Sequence, residues 1–117
     1  MNIYKGINIE EAFYLCNSLK NYRILIITKD INEFEYYKNE IDSQMNNLIN
    51  FIAKIYFNKN RIEIYFLNGS YLSLYPINMI LGLRVHRAYY SNNINDEKII
   101  NEIIKPQVIL NYMKENS

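Results

Sequence analysis

Cysteine occurs once in the 117-residue chain, at Cys16. A lone thiol closes no internal disulfide and supplies no cysteine cluster for a metal, so Cys16 is expected as a small buried hydrophobe on a helix. Histidine also occurs once, at His86. A metal centre would draw on further His or Cys ligands, and a Ser-His-Asp system on a placed serine and acid. His86 is therefore expected as a surface or half-buried strand residue, and neither a metal nor a cofactor is expected. Charge imbalance is missing too. Lys and Arg number 13, Asp and Glu 12, leaving a net charge of +1, which gives no broad electrostatic case for nucleic acid or an anionic membrane. No apolar stretch approaches the roughly 20 residues that span a bilayer. Residues 1–13 lack the apolar core of a secretory signal, so a cytoplasmic protein without membrane contact is expected.

What is present suits a folded domain. Half of the residues are hydrophobic and 15% are aromatic, with twelve tyrosines. A chain of this length forms one domain with a single real core. Asn8 followed by Glu11 resembles a capping box and predicts a helix over about 9–20, with Ile9, Ala12, Phe13, Cys16 and Leu19 on one face. The run 23–28 is short, continuous and β-branched, as expected of a strand buried on both faces in a parallel sheet. Asp30 and Glu33 repeat the capping signal. The helix they open carries Ile31, Phe34, Ile41 and Met45 inward, and Leu48 and Ile52 if it continues.

From Lys54 the hydrophobic period changes to two. Strands are expected around turns at Asn58-Lys59-Asn60 and Asn68-Gly69, with the last one ending at Pro76. Residues 77–83 read as a loop or short helical turn and 84–90 as a strand. About 94–115 read as a helix broken or kinked at Pro106. The order α-β-α-β-β-β-β-α predicts one compact α/β domain over 1–117. Its mixed, partly parallel sheet has a central antiparallel hairpin region and flanking helices, with 23–28 near 84–90.

Several strings resemble the ATPase core of phage terminase large subunits. They are Asn68-Gly69-Ser70 between two strands, Gly82-Leu83-Arg84, the strand end Ala88-Tyr89-Tyr90, and the helix from Ile99-Ile100 through Ile103-Ile104 to Pro106. The resemblance covers about 20–110 and implies a terminase-ATPase-like α/β domain. It departs where the chemistry of that family sits. A phosphate-binding loop needs a glycine-rich turn, a lysine and a Ser or Thr. Before Arg23 there is one glycine, Gly6, and no Gly-Lys-Thr or Gly-Lys-Ser. The acidic pair for magnesium and water falls on Ser91 and Asn92. Asp96 and Glu97 follow one turn later and are expected to complement the N-terminus of the last helix. ATP hydrolysis is not expected.

The remaining candidates are side chains for binding. Arg84, His86 and Arg87 cluster on one strand, Lys59 and Arg61 on a turn, and Tyr90 lies nearby; these six are the expected partner-binding residues. Glu33, Glu35, Glu40 and Asp42, with Lys38 among them, read as an exposed helix surface. The tyrosines at 36–37, 56, 65, 71, 75 and 89–90 read as core edges and cross-strand pairs, an exposed subset of which could hold a protein. With no catalytic set, the expected function is a small phage or prophage protein that binds and blocks a host protein, of the anti-CRISPR or other anti-defence type. The alternatives are an accessory of phage DNA packaging and a nucleic-acid-binding module using Arg84, Arg87, Lys59 and Arg61. A small phosphoesterase or nucleotide-binding enzyme ranks last.

Overall fold

The computed structural model describes residues 2–80 and 82–115. Its central strand is β2 (Arg23–Thr28), in which five consecutive residues are buried. The cause is visible on both faces. Ile24 and Ile26 enter a core with Phe13, Phe34 and Ile41, whereas Leu25 and Ile27 enter another with Ile94, Ile100 and Ile104. A strand covered on both sides loses the alternating pattern, as the continuous apolar run predicts.

Strand β1 (Ile3–Lys5) and helix α1 (Ile9–Ser18) precede β2. Helix α2 (Ile31–Met45), β3 (Ile52–Phe57), β4 (Ile62–Phe66), β5 (Tyr71–Pro76) and β6 (Arg87–Tyr90) follow. The six strands form one sheet in the order β1-β6-β2-β5-β4-β3. β1, β6, β2 and β5 run parallel, and β4 is antiparallel to both β5 and β3. This is an α/β domain with a mixed sheet, as the sequence pattern predicts. β4 keeps the alternation that β2 lacks: Ile62, Ile64 and Phe66 are buried, while Glu63 and Tyr65 point to the other face. That face carries no helix over Tyr56 and Tyr65, which stay exposed.

Both helix starts form as expected. Asn8 Oδ1 accepts from the Glu11 N–H at 3.0 Å, and Asp30 Oδ1 accepts from the Glu33 N–H at 3.0 Å. Cys16 is fully buried, and burial pushes its thiol far above its ordinary pKa.

Four details differ from the sequence pattern. β1 is an additional strand, too short at three residues to show a period. The strand expected over 84–90 narrows to Arg87–Tyr90, with Val85 bridging alone to Val108. Ile31 is exposed at the first turn of α2. The last helix does not run to 115. It begins at α3 (Glu97–Ile99), widens into a π-helical stretch over Ile100–Ile104 and closes in a 3-10 turn at Lys105–Gln107. Proline can neither donate a bond nor accommodate the carbonyl four residues earlier, so the ladder changes register beside Pro106. A separate turn, α4 (Tyr112–Glu115), follows.

The string Asn68-Gly69-Ser70 fastens the β4–β5 turn to the end of α1. The Asn68 side-chain amide donates to the carbonyls of Cys16 (2.9 Å), Asn17 (3.3 Å) and Leu19 (3.1 Å), and its oxygen accepts from the Ser70 N–H at 3.0 Å. Ser70 Oγ donates to the Leu19 carbonyl and accepts from the Tyr22 N–H at 3.0 Å. Gly69 has φ +88°, and a Cβ there would meet Asn21 Oδ1 at 2.0 Å.

Two expected outcomes test this architecture. Ile26→Asp buries an unpaired carboxylate in a fully enclosed site, costing several kcal/mol, comparable with a domain's whole stability of about 5–15 kcal/mol. No cooperative thermal transition should remain. Asn68→Ala should lower stability by about 2 kcal/mol in urea melts. Asn68→Asp should cost more than Asn68→Ala, because it sets a carboxylate against carbonyl oxygens that have lost their donor.

Candidate functional site

Ser91 directly follows β6, where the terminase resemblance would place an acid. It is buried, and its N–H donates to the Ile27 carbonyl at 2.9 Å, extending the ladder by one rung. Its Oγ donates to Glu33 Oε2 at 2.9 Å and accepts from the Asn93 N–H at 3.0 Å. Asn93 Nδ2 also donates to Glu33 Oε2, and the Lys29 N–H donates to Oε1 at 2.7 Å. Glu33 is thus turned into the carboxyl ends of β2 and β6 and does not belong to the exposed helix surface. Burial pushes its carboxyl up, but the bonds from Lys29, Asn93 and Ser91 together hold it below the ordinary carboxylate value. Asp96 Oδ1 accepts from the Lys98 N–H at 2.9 Å, capping the last helix as expected. Among the described residues no group of His, Cys, Asp and Glu is placed to hold a metal ion.

The six expected binding residues separate into two environments. His86 is 2% exposed. Its Nδ1 accepts from the Arg23 N–H at 3.0 Å and its Nε2 lies 2.7 Å from Glu115 Oε1, while the ring stacks on Tyr22. Accepting at Nδ1 leaves the proton of the neutral ring on Nε2, facing Glu115. Arg87 is half-buried. It donates to Tyr22 Oη at 3.0 Å and to Glu11 Oε1 at 3.2 Å, and lies 4.7 Å over the Tyr4 ring. Tyr90 packs in the core with Ile94 and Ile100. These three hold the fold together. Arg84, Lys59 and Arg61 are exposed.

The chain brings Arg61 and Arg84 to neighbouring hollows that share Leu83. One is lined by Arg61, Tyr75, Met79 and Leu83, and the next by Arg23, Gly82, Leu83, Arg84 and Leu110. Arg23, absent from the expected set, donates through Nε to the Arg84 carbonyl at 2.8 Å and lies 4.5 Å over the Tyr71 ring.

From Arg23 a row of rings runs from the buried Tyr71 out to Tyr65 and Tyr56, which are exposed on the uncovered part of the sheet. Tyr71 on β5 lies 5.0 Å from Tyr65 on β4, which lies 6.3 Å from Tyr56 on β3. Lys54 sits 4.7 Å over Tyr56 at the far end. The register explains the row, since Lys54 pairs with Tyr65, Tyr56 with Glu63 and Tyr65 with Tyr71. Glu63 anchors it, with Oε2 accepting from Tyr71 Oη at 2.6 Å and from Tyr75 Oη at 2.9 Å. Burial, then the bond to Glu63, pushes both phenols above their ordinary pKa. Arg61 Nε lies 3.8 Å from Glu63 Oε1. The period of two showed which residues share this face; that no helix would cover it left no local signal. Arrays of exposed rings with fixed cations bind through stacking, cation–π contacts and charge-assisted hydrogen bonds.

The depressed Glu33 pKa gives a signed pH effect. Its contribution to stability is complete above the ordinary value of 4.5 and is lost as pH falls through the lower folded-state value. Glu33→Gln should cost about 1 kcal/mol at neutral pH, allowing for solvent screening. It should also flatten the loss of thermal stability on acidification, read from melts over about pH 3–7. Comparison of the chain with protein-family models, with curated proteins and with solved structures returned no match.

Proposed function

We propose that this is a non-catalytic binding protein that holds an acidic surface of a partner protein against the uncovered face of β3 and β4. The observation that carries the proposal is the exposed pair Tyr56 and Tyr65, backed by the buried Tyr71 and bordered by Lys54, Arg61 and Arg23. Tyrosines already held by neighbouring rings and by Glu63 lose little conformational freedom on binding, which favours affinity. Glu63 Oε2 is taken by Tyr71 and Tyr75 and Oε1 faces Arg61 Nε at 3.8 Å, so carboxylates on the partner meet Lys54 and the remaining guanidinium N–H groups of Arg61. The closed Glu33–Ser91–Asn93 cluster supports the absence of nucleotide turnover, because its polar groups bond to one another where a phosphate and magnesium would need them.

The setting comes from the terminase resemblance. It is a phage or prophage protein, in the host cytoplasm, that binds and blocks a host protein in the manner of anti-CRISPR and other anti-defence proteins. Nucleic acid is the second reading. It is favoured by cations beside exposed tyrosine rings on an open sheet, the arrangement that also suits unpaired bases.

Capture from host lysate with wild type, Tyr65→Ala, Arg61→Ala and the control Tyr14→Ala tests both. Tyr14 lies on α1, which packs on the opposite face, and is exposed. Tyr65→Ala and Arg61→Ala should keep the thermal midpoint and weaken capture of a defined protein about 30-fold, a loss of about 2 kcal/mol, while Tyr14→Ala captures it normally. Material released by nuclease, or with affinity falling steeply in moderate salt, replaces the protein reading with the nucleic-acid one. Phosphate release from ATP with Mg²⁺ should stay at background for wild type and Ser91→Ala alike.

A further inference from the structure

β3 is a terminal strand of the sheet, and its outer side offers unpaired backbone. The Asn58 N–H donates to the Arg61 carbonyl at 3.0 Å. Alternation along an antiparallel ladder then places the bonded pairs at Tyr56–Glu63 and Lys54–Tyr65, so Ile55 and Phe57 turn their N–H and C=O groups away from β4. Natural edges are guarded by charge, proline or bulges. Here the charge, Lys54, and the bulge between Ile52 and Lys54 both lie in the first half of the strand. The segment 55–57 has neither. Tyr56 and Phe57 add exposed aromatic surface to the same edge.

We propose that β3 pairs antiparallel with β3 of a second copy of this chain, with Tyr56 facing Tyr56 across a two-fold axis. An axis perpendicular to the sheet keeps the helix-covered faces together, so the pleat allows only registers that centre a residue on its own copy. Centring Lys54 sets two cations directly opposite, which is unfavourable. Centring Ile55 brings the bulged Ala53 into a bonded pair with Phe57 of the second copy. Centring Tyr56 uses regular residues alone. Ile55 then faces Phe57 of the second copy in two symmetric bonded pairs, each exchanging two hydrogen bonds. The charges fit as well, because each Lys54 faces Asn58 of the other copy and the two ammonium groups are kept apart. Ile55, Tyr56 and Phe57 are covered, and the two tyrosine rows join at the axis into one stripe. This inference does not rest on the partner reading of the tyrosine face.

Sedimentation of the full chain over about 10–500 μM should show a reversible monomer–dimer equilibrium. Tyr56→Lys, an exposed position, should leave a cooperatively melting monomer and weaken dimerisation at least about tenfold by placing lysines opposite each other. Register is read by mild oxidation. Facing residues of a non-bonded pair lie about 4.5 Å apart at Cα, within disulfide reach. Tyr56→Cys should therefore cross-link into a covalent dimer and Lys54→Cys should not, while Cys16 stays buried and silent. A monomer throughout the concentration range overturns the proposal. So does a dimer indifferent to Tyr56→Lys, or cross-linking through Lys54→Cys instead of Tyr56→Cys.

Discussion

The three carbonyls at the end of α1 need donors, and the fold depends on where they find them. A helix finishing inside a domain leaves its last C=O groups without intrahelical partners. Here one carboxamide, Asn68, supplies them from 50 residues downstream, and Ser70 ties the outgoing chain at Leu19 and Tyr22. The clamp fixes where β2 starts relative to β5, and the Tyr71 N–H to Tyr22 carbonyl bond at 2.9 Å opens their ladder at the same point. Gly69 is required because the turn takes positive φ there, and Asn21, also at positive φ, occupies the space a side chain would need. A string that looked like a family marker is thus the joint between the parallel and antiparallel halves of the sheet.

The uneven covering of the sheet follows from its connections. α1 and α2 both pack on one face. The other face is covered by Ile80, Val85 and the segment 94–108, which pack mainly over β1, β6 and β2. The face of β3 and β4 opposite the helices is left with tyrosines, Glu63 and the flanking cations. Aromatic rings suit such a face, because their edges and planes satisfy one another while their hydroxyls reach Glu63 or water. The same rings that finish the sheet are available to a partner.

Much of this was legible locally. The β-branched run of β2, both hairpin turns and both helix starts are signals carried by a few neighbouring residues, and each forms where its pattern lies. The losses have physical reasons. β1 is defined by pairing with β6, and Ile3, Tyr4 and Lys5 alone show no period. The last helix has apolar spacing beyond Pro106, but its backbone leaves the helix so that Val108 can bridge to Val85. His86, Arg87 and Tyr90 look like a basic, aromatic patch in sequence. They are taken up by Arg23, Glu11, Tyr22 and the second core, contacts that join residues more than 60 positions apart. Glu33 could not be told from its exposed neighbours, since Ser91 and Asn93 find it only through the β2–β6 pairing. Arg23 was hidden at the head of an apolar strand.

The parallel pairings also set an order of events during synthesis. β1 pairs with β6, and β2 lies between β6 and β5, so β2 has no neighbour until Tyr71–Pro76 is made and β1 none until Arg87–Tyr90 is. Until β5 emerges, the apolar residues Ile24–Ile27 have α1 and α2 to shelter against and no ladder to join. Long-range pairing of this kind makes folding slow and leaves unpaired strands open to association. During that interval β2 is an apolar strand with both edges open, the stretch of this chain that most needs shielding from other chains.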